Sequence, residues 1–239
     1  MNYARKEFIL EEARQLLIKL WKKRAQIWSN PPDLEDLFPL PVDIIIKNIL
    51  GIQYEEPVEI PSLASLRQEI VTTETVGFMD RVRNRIVVAQ NIKNEWRRFT
   101  AAHEIGHWIL HPSIKSHRDR PITGAERATL LRDPEEQEAD LFAAELLMPR
   151  KVLRKYFIQH FGEMIDGRQP NEDLTVWLSA GTGESIDMIE LAKRGARYRA
   201  LLISKASTYK GRRLISLADR FGVSHTAMAI QLEELGLVK

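Results

Sequence analysis

At 239 residues the chain can bury a substantial core, as one large domain or two modest ones, and its 44% hydrophobic and 28% charged residues are ordinary for a globular protein. A formal net charge of +2 singles out no partner, and the absence of cysteine excludes disulfides, thiolate-ligated metal and a thiol nucleophile. Arg5, Lys6, Glu7, Glu11 and Glu12 interrupt any apolar leader, and no stretch approaches the roughly 18 apolar residues of a membrane span, so a cytoplasmic protein without membrane contact is expected.

Residues 7–28 carry an amphipathic helix, with Ile9, Ala13, Leu16, Leu17, Leu20, Ile27 and Trp28 on its apolar stripe. Lys22, Lys23 and Arg24 read as a solvated face near its end, and Asn30-Pro31-Pro32 breaks it. A second helix is expected from Pro41 to Leu50, stopped at Gly51, with Val42, Ile45, Ile46 and Ile49 turned inward. From Ile52 to Ala89 the pattern changes to strands. Val76–Met79 and Arg85–Ala89 flank a polar turn, Asp80–Asn84, as a hairpin. The edge strand of such a sheet can pair with an extended substrate backbone.

Phe99–His111 reads as one helix ending at Pro112, with Trp96, Phe99, His103, Gly106 and Leu110 recurring at three- and four-residue steps on its buried face. Within it lies His-Glu-x-x-His, from His103 to His107. Four residues is just over one turn, so both imidazoles leave the same face and can converge on one ion. Glu104, one step round, can reach a water on that ion. Gly106 stands where a side chain would crowd the metal or a neighbouring strand. The same histidine pair also occurs as a purely structural feature, and a zinc site needs a third ligand. His111 continues the series, but its Cα lies about 12 Å along the axis from that of His103 at 1.5 Å per residue. It is read as a hydrogen-bonding group at the helix end. Ser113 stands where a metzincin would carry its third histidine.

Residues 113–132 form a polar connection long enough to be a lid or a substrate-contacting loop. Asp133 to Met148 then opens a second helix, with Glu136 and Asp140 four apart on one face. Glu136 can bind a metal, and Asp140 can accept the outward N–H of a ligand histidine. A plainer reading stands beside this one. Asp133 as N-cap, Pro134 at the first helical position and Glu136 three after the cap make a capping box, with Glu135 and Glu138 in solvent.

Together, Arg98-Phe99-Thr100 before His-Glu-Ile-Gly-His and the run Glu136-x-x-Ala139-Asp140-x-Phe142-Ala143-Ala144-Glu145-Leu146-Leu147-Met148-Pro149 resemble the ImmA/IrrE family of zinc metallopeptidases, which is gluzincin-like. The resemblance covers mainly residues 75–150 and a short C-terminal stretch. It implies a mainly helical α+β fold, a zincin-like metallopeptidase domain with a small sheet and a C-terminal helix-turn-helix-like region. It further implies one Zn²⁺ per chain held by His103, His107 and Glu136, with Glu104 as catalytic base; the expected role of Asp140 is to orient a ligand histidine. Mn²⁺ or another divalent metal also suits two histidines and a carboxylate. The substrate it implies is a helix-turn-helix transcriptional repressor, cleaved in a stress, phage or mobile-element response. His117, Tyr156 and His160 are conceivable oxyanion stabilisers that nothing separates from surface residues.

A short helix is expected from Pro149 to about Phe161, with a boundary over Gly162–Asn171. The expected domains are 1–165, with N-terminal helices over 1–55 and a catalytic core over 70–150, and a helical region over 166–239. Gly181–Ser185 lacks the Gly-Lys-Ser/Thr ending of a phosphate loop and reads as a turn before a helix beginning near Ser185. Lys193 to Arg213 is basic throughout, suited to DNA phosphates or an acidic protein face, or equally to plain solvation. Residues 213–236 resemble a helix-turn-helix, Leu214–Phe221, Gly222-Val223, then a helix capped by Ser224. A similar element follows the family's peptidase core, though here some sixty residues, 151–213, intervene. Ser224, His225, Thr226 and Gln231 are a thin set of base readers, so packing or substrate docking is favoured over DNA binding. The alternative to a peptidase is a DNA-binding or antitoxin-like module with a structural or sensory metal. Glu104 argues against it, because a structural zinc site needs no base.

Overall fold

A computed structural model describes residues 1–34, 36–58, 76–119, 133–168 and 170–239. The chain forms two compact units, Met1–Leu147 and Met148–Lys239.

In the first unit, α1 (Tyr3–Ile27) starts at Asn2, whose side chain accepts the Arg5 N–H at 2.8 Å, and it buries Ile9, Leu10, Ala13, Leu16 and Leu20. The helix expected over Pro41–Leu50 is mostly wider than an α-helix. A single turn, α2 (Val42–Ile44), continues as a π-helical segment, Ile45–Leu50, and Gly51 closes it at φ 70°. Four short strands follow: β1 (Gln53–Glu55), β2 (Gly77–Asp80), β3 (Arg85–Val88) and β4 (Ser116–Asp119), in the order β1-β3-β2-β4. β1 and β3 are parallel and the other pairs antiparallel, so β1 and β4 are the edges among the described residues. The β2–β3 hairpin is the expected one, with Met79 opposite Ile86. Its turn is closed by the Arg83 N–H to Asp80 Oδ1 at 3.1 Å.

α3 (Asn94–Leu110) lies against β2 and β3, and α4 (Pro134–Leu147) packs along α3. Two glycines set these approaches. A Cβ on Gly77 would stand 2.3 Å from Thr100 Cγ2 and 3.3 Å from a Glu104 carboxylate oxygen. A Cβ on Gly106 would stand 3.0 Å from Ala139 Cα. Gly106 therefore admits the backbone of α4, a correction to the expectation that it spares the metal or a strand. Trp96 also departs from its expected place on the buried face, since it is 52% exposed in the first turn of α3. At the other end, Arg81 from the hairpin turn donates to the carbonyls of Ile114 (2.9 Å), His107 (3.2 Å), His111 (3.3 Å) and Trp108, and lies over the Trp108 ring. A cation on the last carbonyls of a helix complements its dipole.

The second unit contains α5 (Arg150–Phe161), α6 (Glu172–Thr182), α7 (Met188–Lys193), α8 (Ala196–Lys205), the two-residue strands β5 (Thr208–Tyr209) and β6 (Arg212–Arg213), α9 (Leu217–Phe221) and α10 (His225–Glu234). The stretch before the helix-turn-helix-like segment is thus folded, and α6 is an addition to the sequence reading. Asn171 caps α6, Gly183 ends it at φ 72°, and Asp187 caps α7. The helix expected near Ser185 begins at Met188. α10 packs on α8 and buries Ala227, Met228, Ala229, Gln231 and Leu232. Ser224 caps it as expected. Gln231, counted as a base reader, is 3% exposed and donates to the Met148 carbonyl at 3.3 Å.

The basic run is largely matched from outside itself. Arg194 pairs with Glu190 (2.6 Å), Arg197 with Glu233 (2.5 Å) and Lys205 with Glu184 (2.8 Å). Arg199 is buried and donates to the carbonyls of Lys239 (2.6 Å), Leu191 (3.2 Å) and Arg194. No helix among the described residues is long and apolar enough to cross a membrane.

Candidate metal centre

The helical spacing read from the sequence brings the two imidazoles together. Nε2 of His103 and Nε2 of His107 are 3.0 Å apart, and the residues are 1% and 0% exposed. α4 crosses α3 at Ala139, three residues past Glu136, and so delivers that carboxylate to the same point. Its Oε2 lies 3.4 Å from His103 Nε2 and its Oε1 3.5 Å from His107 Nε2. Ligand atoms of His103, His107 and Glu136 all lie within 4.8 Å of one another. Both Glu136 oxygens face the histidines, while Asp133 accepts the Glu135 N–H at 3.0 Å. Glu104 is 0% exposed on the same helix, beside the backbone of Gly77.

Residues 65–164 match the model of a peptidase family described as the IrrE N-terminal-like domain. Over this segment the chain is similar to an IrrE N-terminal-like domain. This is the family that the two motifs resemble, and both lie inside the matched segment. The chain is also similar to the "Uncharacterized immunity region protein 2" of Bacillus phage phi105, 36% identical over 85 residues, or 35% of this chain and 51% of the relative. It thus spans about half the length of the curated relative it matches.

Two observations bear on whether a cation suits this cluster. A tetrahedral ion with bonds of about 2.0–2.1 Å separates its ligand atoms by about 3.3 Å. The 3.0, 3.4 and 3.5 Å separations bracket that value. Hydrogen bonding points the same way. His103 Nδ1 is 2.9 Å from Asp140 Oδ1, and a carboxylate can only accept, so the neutral imidazole carries its proton there and presents a lone pair at Nε2. That lone pair and the Glu136 carboxylate converge as acceptors. The donor set fits a divalent cation.

A second polar chain leaves the site on the other side. His107 Nδ1 is 3.0 Å from His111 Nδ1, and His111 Nε2 is 3.0 Å from Glu138 Oε2. Glu138 in turn accepts from Arg5 of α1, at 2.8 Å from Nε and 2.5 Å from the terminal nitrogen. The Arg5 hydrogen bond, aided by that of His111, holds the Glu138 carboxyl below its ordinary range against the opposing effect of burial. His111 is at the helix end, as expected, and is 5% exposed. Glu138 corrects the expectation of a solvent-facing residue, with a side chain 14% exposed. Arg5 carried no sequence signal at all.

Of the residues weighed for oxyanion stabilisation, the His117 side chain lies outside the described residues, as does the connection over 120–132. In the second unit, the Tyr156 hydroxyl accepts from Arg220 at 2.8 Å, and His160 Nε2 is 3.3 Å from the Ile215 carbonyl oxygen.

Proposed function

We propose that the protein is a metal-dependent endopeptidase, zinc-dependent by preference, with His103, His107 and Glu136 as ligands, Glu104 as general base and Asp140 orienting His103. The observation that carries this reading is the convergence of three ligand atoms from two helices, with a buried glutamate one residue from the first ligand. A divalent cation bound there would supply Lewis acidity toward a peptide carbonyl and lower the pKa of a water. Glu104 accepts the proton of the attacking water on its carboxylate as the carbon–oxygen bond forms. It then returns that proton to the departing amide nitrogen as the carbon–nitrogen bond breaks. Burial beside Gly77 keeps the carboxylate in one place for both transfers. Asp140 holds the Nδ1–H of His103 so that Nε2 faces the ligand cluster. The extended substrate adds to the edge strand β4, which presents main-chain groups in register with the sheet.

The substrate is a helix-turn-helix transcriptional repressor, cut at few sites, in the cytoplasm, in a stress, phage or mobile-element response. The phage immunity-region relative supports this choice. The burial of Gln231 weighs against reading α9–α10 as a base-reading pair, and favours packing or substrate docking. The test is incubation of candidate repressors from the same genome with wild type and Glu104→Gln, with and without added zinc, recording metal content alongside. A discrete cut made only by metal-loaded wild type is expected. Equal cutting by Glu104→Gln would sink the mechanism.

A further inference from the structure

The two ligand histidines of the proposed site are supported in different ways. His103 meets a carboxylate directly, whereas His107 meets another imidazole, and what that second imidazole does follows from the far end of its chain. Arg5 has only donors, so Glu138 accepts from it. The Glu138 carboxylate then accepts from His111 as well, which puts the His111 proton on Nε2, 3.0 Å from Oε2. In the neutral imidazole the His111 lone pair is then on Nδ1. It faces His107 Nδ1 at 3.0 Å, and of two facing nitrogens one must donate, so the proton there belongs to His107. His107 Nε2 is thereby a lone pair, turned toward His103 Nε2 and Glu136, and two Nε2 lone pairs 3.0 Å apart fit together only around a shared cation. The order of protons is dictated from Arg5 inward.

We infer that His111 is a positioning residue for the metal site: by accepting the Nδ1–H of His107 it fixes that ligand's tautomer and ring plane, with Glu138 and Arg5 as its anchor. The inference rests on the metal-site reading above and goes beyond it, since His111 touches neither the cation position nor substrate. It also gives the first turn of α1, remote in sequence, a part in metal affinity. Removing an outer partner of a ligand histidine typically weakens metal binding by about 10–100-fold.

The test measures zinc affinity by competition with a chromophoric chelator for wild type, His111→Phe, His111→Asn and His103→Ala, with the melting temperature of each metal-free form. His111→Phe fills the space without an acceptor and should bind zinc about 10–100-fold more weakly. His111→Asn, whose amide oxygen stands near the lost Nδ1, should recover most of that loss while melting no higher than the Phe variant. Long-range ¹H–¹⁵N correlation on zinc-loaded wild type should find His107 protonated at Nδ1 and His111 at Nε2, a readout that needs no variant to fold. Zinc affinity in His111→Phe equal to wild type, or a His111 proton on Nδ1, would overturn the inference. Wild type binding zinc no better than His103→Ala would refute the metal site itself, and the inference with it.

Discussion

Two helix pairs carry the legible motifs of this chain, and they use buried polar groups in opposite ways. In α3–α4, His103, His107 and Glu136 turn their ligating atoms toward one another. In α9–α10, the buried Gln231 gives its amide to the Met148 carbonyl, and Arg220 donates to the Tyr156 hydroxyl. The first arrangement gathers acceptors that could hold a cation. The second satisfies fixed acceptors of the fold. A buried polar residue is therefore informative through what its polar atoms face, more than through its burial.

The comparison breaks most visibly at Glu104. Glu104→Gln should lower turnover by roughly 10²–10⁴-fold while leaving metal content unchanged. Single-turnover cleavage with metal analysis of the same sample checks both halves. Next in size is Gly106→Val, which forces a branched side chain against Ala139 and should destabilise by about 1–3 kcal/mol. Zinc affinity should fall with it, because α4 carries Glu136. Urea melts of the metal-free form, followed by zinc titration, would show whether the helix approach and the site are coupled. Gln231→Leu in the other pair should cost about 1 kcal/mol through the unsatisfied Met148 carbonyl. It should not change the zinc affinity of the folded protein, and a change there would undo the contrast between the pairs.

The smallest effect belongs to Asp80 in the hairpin turn. Burial pushes its carboxyl up, but the Arg83 N–H and guanidinium, with Arg85, outweigh burial and hold it below its ordinary range. A depressed folded value means stability that is fully present above the unfolded value of about 3.9 and is lost as pH falls through the folded one. Asp80→Asn should therefore be less stable than wild type at pH 7, and the gap should narrow as pH falls below the unfolded value in paired urea melts.

How much of this was legible in the sequence depended on whether the determinant was local. His103, Glu104 and His107 share one helix, so a 3.6-residue period alone places both imidazoles on one face. The capping residues Ser216, Ser224 and Asn171 are equally local, and Ser224 was read correctly. α6 went unread because Gly181 and Gly183 near its end resembled a loop, although Gly181 packs against the Thr208 carbonyl. Gly106 was recognised as special, but the crowding atom belongs to Ala139, thirty-three residues on, and no spacing rule names it. Glu138 sits between two motif positions and looked like solvated charge. Its partners, His111 and Arg5, come from two other elements, and only the packed structure joins them.

Arg81 ties the hairpin turn to the last carbonyls of α3, and those carbonyls belong to the turn that carries His107. A helix end normally frays, and its amides exchange with solvent through small local openings. Here such an opening must also break the guanidinium from the His107 and His111 carbonyls and from the Trp108 face. The final turn of α3 and the β2–β3 hairpin should consequently open together, their amides sharing one protection free energy in hydrogen exchange.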